Sequence, residues 1–105
     1  KIDVHKRSFV LANRTGGLSG PAVKTVAVRM VYQTAQAVKI PIIGMGGIAN
    51  AEDAVEVLLA GATAVGVGAM QFVSPYTTSE VVEGIEKYME DYGIEDIGSL
   101  IGNVK

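Results

Sequence analysis

The sequence has no cysteine and no tryptophan, and its single histidine, His5, stands near the start of 105 residues. Without cysteine there is no disulfide scaffold, no thiolate-ligated zinc or iron–sulfur site built from this chain, and no cysteine nucleophile. A reducing cytoplasm fits that composition, and a cytoplasmic location is the expectation. His5 sits among polar neighbours, Lys6, Arg7 and Ser8, which reads as a solvated hairpin tip rather than a catalytic base. Long apolar runs are lacking too. None approaches the roughly 18 residues that a membrane-spanning helix needs, and no charged segment followed by an apolar one opens the chain. Charge of one sign is equally scarce: 9 basic and 11 acidic residues are dispersed along the chain, so no basic face for nucleic acid emerges. Neither a membrane nor a nucleic-acid partner is expected.

What the sequence has is apolar residues, 49% of the total, and 13 glycines that gather at the ends of apolar runs. The stretch Ile40 to Ala69 organises the rest. Two apolar runs, Ile40-Pro41-Ile42-Ile43 and Ala64-Val65-Gly66-Val67, flank one amphipathic helical pattern, and each is followed by glycine. That is the order of a β-α-β unit.

Upstream, Ile2-Asp3-Val4 and Phe9-Val10-Leu11 predict a short hairpin around His5-Lys6-Arg7-Ser8. Asn13 to Gly20, with three glycines in eight residues, reads as a loop. Pro21 suits a first helical turn, with Ser19 or Gly20 as cap. Val23, Val26, Ala27, Met30, Val31, Thr34, Ala37 and Val38 then recur at helical steps, predicting a helix with one buried face and Met30 as core filling. Pro41 ends that pattern. Ile42 to Met45 reads as a strand apolar on both faces, covered on both sides as in a parallel sheet. Asn50 caps the next helix, with Glu52 and Asp53 in its first turn; Ala54, Val55, Leu58 and Leu59 form its stripe, and Gly61 its stop. Ala64 to Gly68 is the second strand. A helix is predicted from Ser79 to Gly93, with Val81, Val82, Ile85, Tyr88, Met89 and Tyr92 on its apolar face. The tail, with an apolar rhythm at Ile94, Ile97, Leu100, Ile101 and Val104, reads as a short helix docked on a larger body.

Two parallel strands and three long helices do not close a sheet, and the first residue is Lys1 rather than methionine. A processed or truncated piece of a larger fold is the expectation.

In β/α proteins, ligands gather at the carboxyl ends of strands, where helix N-termini and free backbone N–H groups meet. A phosphate dianion can be held there without a basic side chain, provided no Cβ blocks its approach. Gly46-Gly47 meets that requirement, and Gly68-Ala69 meets it one strand further on. A single Gly-Gly pair is more simply explained by tight turns; two such sites in adjacent β/α units favour a phosphate clamp. No Walker loop and no dinucleotide fingerprint is present. Asp3, Glu52 and Asp53 form no recognisable acid/base or metal pair, so neither a catalytic residue nor a metal ligand is assigned.

The strings NRTGGLSGPAVKTVAVRM (residues 13 to 30), IPIIGMGGI (40 to 48), AGA (60 to 62) and VGVGA (65 to 69) resemble the C-terminal third of the class 1 dihydroorotate dehydrogenases. The similarity is greatest to the NAD-linked class 1B branch and runs along essentially the whole chain. It implies an α/β fold, the C-terminal portion of a (β/α)8 TIM barrel: the last two strand-helix units with the preceding loop and helix, residues 1–105 forming one fragment of a single FMN-binding domain. It also implies FMN phosphate bound by Gly20, Gly46, Gly47, Gly68 and Ala69. The implied reaction oxidises dihydroorotate to orotate in pyrimidine biosynthesis, in a homodimer working with an electron-transfer subunit that carries FAD and a 2Fe–2S cluster. The family's catalytic cysteine, flavin-contacting lysine and substrate-binding asparagines have no counterparts in this stretch, so the chain alone is expected to be inactive. Two alternatives stand beside this: another FMN or phosphate-binding barrel, such as the pyrimidine-reducing domain of dihydropyrimidine dehydrogenase, and a ligand-free structural half-barrel.

Overall fold

The computed structural model describes residues 1–104; only residue 105 of the expected single unit lies outside the described residues. The hairpin forms, shorter than predicted: β1 (Ile2–Asp3) pairs antiparallel with β2 (Ser8–Phe9), Ile2 opposite Phe9 and Asp3 opposite Ser8. Its tip is built by Asp3, whose carboxylate accepts from the N–H groups of His5 and Lys6, each at 3.0 Å. Such local bonding is why aspartate favours turns.

Residues 13–20 contain no helix or strand, as their glycines predict. A 3-10 turn at Pro21–Val23 then leads into α1 (Lys24–Ala37). Next come β3 (Ile43–Met45), α2 (Ala51–Leu59), β4 (Ala64–Gly66), a 3-10 turn at Ala69–Phe72, and α3 (Thr77–Tyr92). Strands β3 and β4 are parallel, in the register Ile43 to Ala64, Gly44 to Val65 and Met45 to Gly66. A right-handed β-α-β crossover is the usual way to join such strands, with the helix packed back on the sheet.

Helix α2 is the centre of the core. Ala54, Val55, Val57 and Leu58 are buried along it, and Ile48, Val81, Ile85 and Val31 close around them. The predicted stripe omitted Val57, which is fully buried because α2 is flanked by both the sheet and α3. The stop at Gly61 is as predicted: Gly61 has φ +118°, its N–H donates to the Leu58 carbonyl at 2.9 Å, and the Ala62 N–H donates to the Val57 carbonyl at 3.2 Å. That paired arrangement satisfies two carbonyls the helix end would leave open.

Three expectations change. Strand β3 is covered on one face only: Gly44 is buried against the helices, whereas Ile43 and Met45 on the other face are 64% and 63% exposed. Side chains alternate along a strand, so an all-apolar run needs a layer on each side; the described residues supply one. On α1, Ala27 and Val31 are buried but Val26 and Met30 lie 54% and 62% exposed, so Met30 fills no core here. The apolar arc of α1 is wider than the surface that β3 and α2 cover. Finally, α3 begins at Thr77, two residues before Ser79, because the Thr77 side chain is buried and its hydroxyl lies 2.9 Å from the Ser74 carbonyl and 3.2 Å from that of Met70.

The tail docks through Leu100, whereas Ile97, Ile101 and Val104 of the predicted apolar rhythm are exposed. Ile97–Leu100 forms a 3-10 turn, Leu100 is buried, and the Gly102 N–H donates to the Leu58 carbonyl at 3.0 Å, at the end of α2.

Candidate phosphate cradle at two strand ends

The carboxyl ends of β3 and β4 lie side by side because the strands are parallel and in register, so the turns leaving them share one edge. The 19–20 loop closes that edge from the α1 side. Between them is a cavity of about 260 Å³ whose lining includes Gly20, Gly46, Gly47, Gly68 and Ala69, all five residues singled out in the sequence. Its walls are otherwise mostly apolar, from Leu18, Val23, Met45, Ile48, Val67 and Met70, with Ser19 the one hydroxyl-bearing side chain.

No charged side chain lines this cavity, so any anion held there is held by backbone. Donors are present. Among the described residues, the N–H groups of Gly47, Ile48, Ala69 and Met70 donate to no acceptor in the chain. Buried backbone N–H groups are rarely left unpaired; Ile48 is buried, and Gly47, Ala69 and Met70 are part-exposed, open to water or to a ligand. Two pairs of them, one at each strand end around the same cavity, suit the oxygens of a phosphate.

The glycines serve for different reasons. Gly46 and Gly47 have φ of +118° and +77°, which L side chains rarely adopt. A Cβ on Gly47 would also lie 2.8 Å from both the Lys24 backbone nitrogen and the Lys24 Cβ, and 2.9 Å from the Gly20 carbonyl oxygen. Gly47 is therefore fixed by the close approach of two backbones whatever the cavity holds, and a bulky residue there would test packing before it tested binding. At Gly68 the reverse holds. Its Cβ position meets no heavy atom within 4 Å, and its φ of −117° is ordinary. The space beside Gly68 is therefore free of this chain's described residues.

Lys24 opens α1 next to the cradle and looks like a phosphate ligand, but its ammonium is committed elsewhere. Lys24 Nζ lies 2.6 Å from Asp53 Oδ1 and 3.0 Å from Glu56 Oε2. The other Asp53 oxygen accepts the Ala49 N–H at 2.9 Å, while the Asp53 N–H donates to the Asn50 side chain at 2.9 Å, the predicted cap. Burial by itself would raise the Asp53 carboxyl, but the Lys24 ammonium and the N–H groups of Ala49 and Asn50 outweigh it and hold it below its ordinary 3.8. Hydrogen bonding to Asp53, then to Glu56, raises the Lys24 ammonium above its ordinary 10.5. This pair was invisible in sequence, since its members stand 29 residues apart; a hydrophilic residue at a buried helical position was the available signal, and Asp53 read only as part of the cap. Among the described residues no cluster of three or more His, Asp or Glu side chains could hold a metal.

The pair has a pH consequence. A carboxyl lowered on folding contributes stability above its unfolded value, about pH 4, and loses it as pH falls through the lower folded value. The raised ammonium contributes below about pH 10.5 and loses its share above that. Asp53→Ala should cost about 1–3 kcal/mol near neutrality, because it leaves the Ala49 N–H unpaired. Urea midpoints between pH 3 and 7 should fall less steeply for Asp53→Asn than for the parent chain; parallel curves would show that Asp53 does not carry the acid limb.

The sequence pattern of one protein family, dihydroorotate dehydrogenase, matches residues 1–89. Among curated proteins, the catalytic subunit of dihydroorotate dehydrogenase B (NAD+) from Lachnoclostridium phytofermentans is 64% identical over all of this chain and 35% of its own length. The same subunit from Alkaliphilus oremlandii is 61% identical over 98% of this chain and 34% of its own. The chain thus spans about a third of the length of the curated relatives it matches. Among solved structures, DHODH from Eimeria tenella in complex with ferulenol superposes with a TM-score of 0.79 at 27% identity, over 98% of this chain and 28% of that one. The two parallel strand-helix units are accordingly part of a (β/α)8 barrel, and the bare face of β3 is a barrel strand's inner face.

Proposed function

Because this chain belongs to the dihydroorotate dehydrogenase family, we propose that it forms the FMN phosphate-binding end of an enzyme oxidising dihydroorotate to orotate in pyrimidine biosynthesis. The observation that carries this reading is the single cavity bounded by both strand ends, with unpaired N–H groups at Gly47, Ile48, Ala69 and Met70 and free space beside Gly68. A phosphate dianion fits that donor set: it needs several N–H groups and no obstructing Cβ. Gly20, Gly46, Gly47, Gly68 and Ala69 are the proposed cofactor-binding residues. When bound, FMN supplies the hydride-accepting ring. The residues of this chain orient the group by its phosphate tail and shield that tail; none of them is assigned as the base that removes a substrate proton.

Residues 1–105 are proposed as the C-terminal part of one barrel domain, completed by the remainder of the enzyme. The relatives named as NAD-linked catalytic subunits support a separate electron-transfer subunit; FAD and a 2Fe–2S cluster are proposed for that subunit, and a cytoplasmic homodimer for the catalytic one. The dihydropyrimidine dehydrogenase-like alternative gains no support from relatives that carry the dihydroorotate dehydrogenase name. The ligand-free alternative leaves those four N–H groups to water and gives the two convergent strand ends no role.

The test is the flavin content and substrate of the complete enzyme. Purified protein should be yellow, release FMN rather than riboflavin or FAD on denaturation, and bleach on addition of dihydroorotate. The 105-residue chain alone should not turn over dihydroorotate. A colourless complete enzyme, or one bleached only by another reductant, would overturn the proposal.

A further inference from the structure

The β3 side of the cradle has two halves from distant parts of the chain, the Ser19-Gly20 loop leading into α1 and the Gly46-to-Asn50 turn leading into α2. Nothing covalent holds them in register. Their backbones approach closely, as the 2.8 Å and 2.9 Å separations of a Gly47 Cβ from Lys24 N and Gly20 O show. One side chain ties both: Asp53, which is only 8% exposed, accepts the Ala49 N–H from the turn with one oxygen and the Lys24 ammonium from α1 with the other. Glu56, one turn further along α2, holds the same ammonium at 3.0 Å. Neither Lys24 nor Asp53 lines the cavity.

We infer that Lys24 and Asp53 are positioning residues that clamp the two halves of the cradle at phosphate-binding distance, acting on the cofactor's phosphate without touching it. This inference rests on the FMN reading above. A backbone anion site depends on N–H groups held within about half an ångström of their working positions, and a shift of about 1 Å in such a site can cost on the order of a hundredfold. With the tie cut, the 20-loop is free to part from the 47-turn, and the N–H groups at the β3 end lose their alignment with those at the β4 end. The isoalloxazine end of the cofactor would not feel this.

The experiment compares FMN with riboflavin, which lacks the phosphate, on the complete enzyme, reading the dissociation rate of each by the recovery of free-flavin fluorescence. Lys24→Met and Asp53→Asn should each speed FMN release about tenfold while leaving riboflavin release within about twofold. The double variant should be no faster than the faster single one, because both changes cut one tie. Lys24→Arg should restore slow release. Equal acceleration of FMN and riboflavin would mean general loosening and would overturn the inference, as would unchanged FMN release. If Asp53→Asn fails to fold, Lys24→Met and the milder Glu56→Gln read the same tie from its more exposed end. Gly68→Val, measured alongside, separates the two claims: fast FMN release there with no effect at Lys24 or Asp53 discards the clamp alone, and no effect anywhere discards the phosphate site itself.

Discussion

Valine at Gly68 should weaken FMN binding by about a hundredfold, about 2.7 kcal/mol, and leave the fold intact. The two halves of that expectation come from the same fact. A Cβ at this position has no heavy atom of this chain within 4 Å, so the added carbon meets none of its described residues. The φ there is −117°, outside the left-handed range that demands glycine. What the added methyl groups displace is therefore no other part of this chain, and in the proposed reading it is the phosphate that the N–H groups of Ala69 and Met70 grip. Equilibrium titration with FMN should show the loss, titration with riboflavin should not, and the thermal unfolding of the apoprotein should be unchanged. FMN affinity equal to that of the parent would remove Gly68 from the site. The contrast with Gly47 is instructive, because a valine there would collide with Lys24 and Gly20 and weaken binding whether or not a phosphate was involved.

Gly44→Val should be the most damaging change to stability. Gly44 is the middle residue of β3, and a Cβ on it would lie 2.2 Å from Val57 Cγ1 and 2.9 Å from Ala62 Cβ. Neither neighbour can yield easily: Val57 and Ala62 are both 0% exposed, and Val57 is packed from the far side by the rest of α2 and α3. Overpacking of this kind costs about 1–3 kcal/mol for modest insertions and more where backbone must move; here a helix must lift off its strand. A loss of about 4 kcal/mol is expected, most of what a small domain has. Urea unfolding followed by circular dichroism should lose its cooperative transition, and dye binding should report exposed apolar surface. Gly17→Ala, where no heavy atom lies within 4 Å of the added carbon, is the matching control and should change little. A parent-like urea midpoint for Gly44→Val would mean that α2 does not sit on β3 as described.

The sequence by itself determined the order of elements, the stops at Gly61 and Gly93, the Asn50 cap and the glycines at two strand ends. These are local matters: a period of two or 3.6, a cap three residues from its partner, a residue able to take positive φ. It also carried the family, through strings of glycine and apolar residues spaced as a barrel's late strands require. Only the tertiary structure decided which side of α1 and of β3 is covered, since a periodic stripe fixes a face and not the neighbour that meets it. It decided that Gly47 is demanded by packing while Gly68 borders open space, a distinction that two adjacent glycine signals cannot make. And it joined Lys24 to Asp53 across 29 residues. Pairs that far apart are set by the path of the chain in space, which no short window of sequence contains.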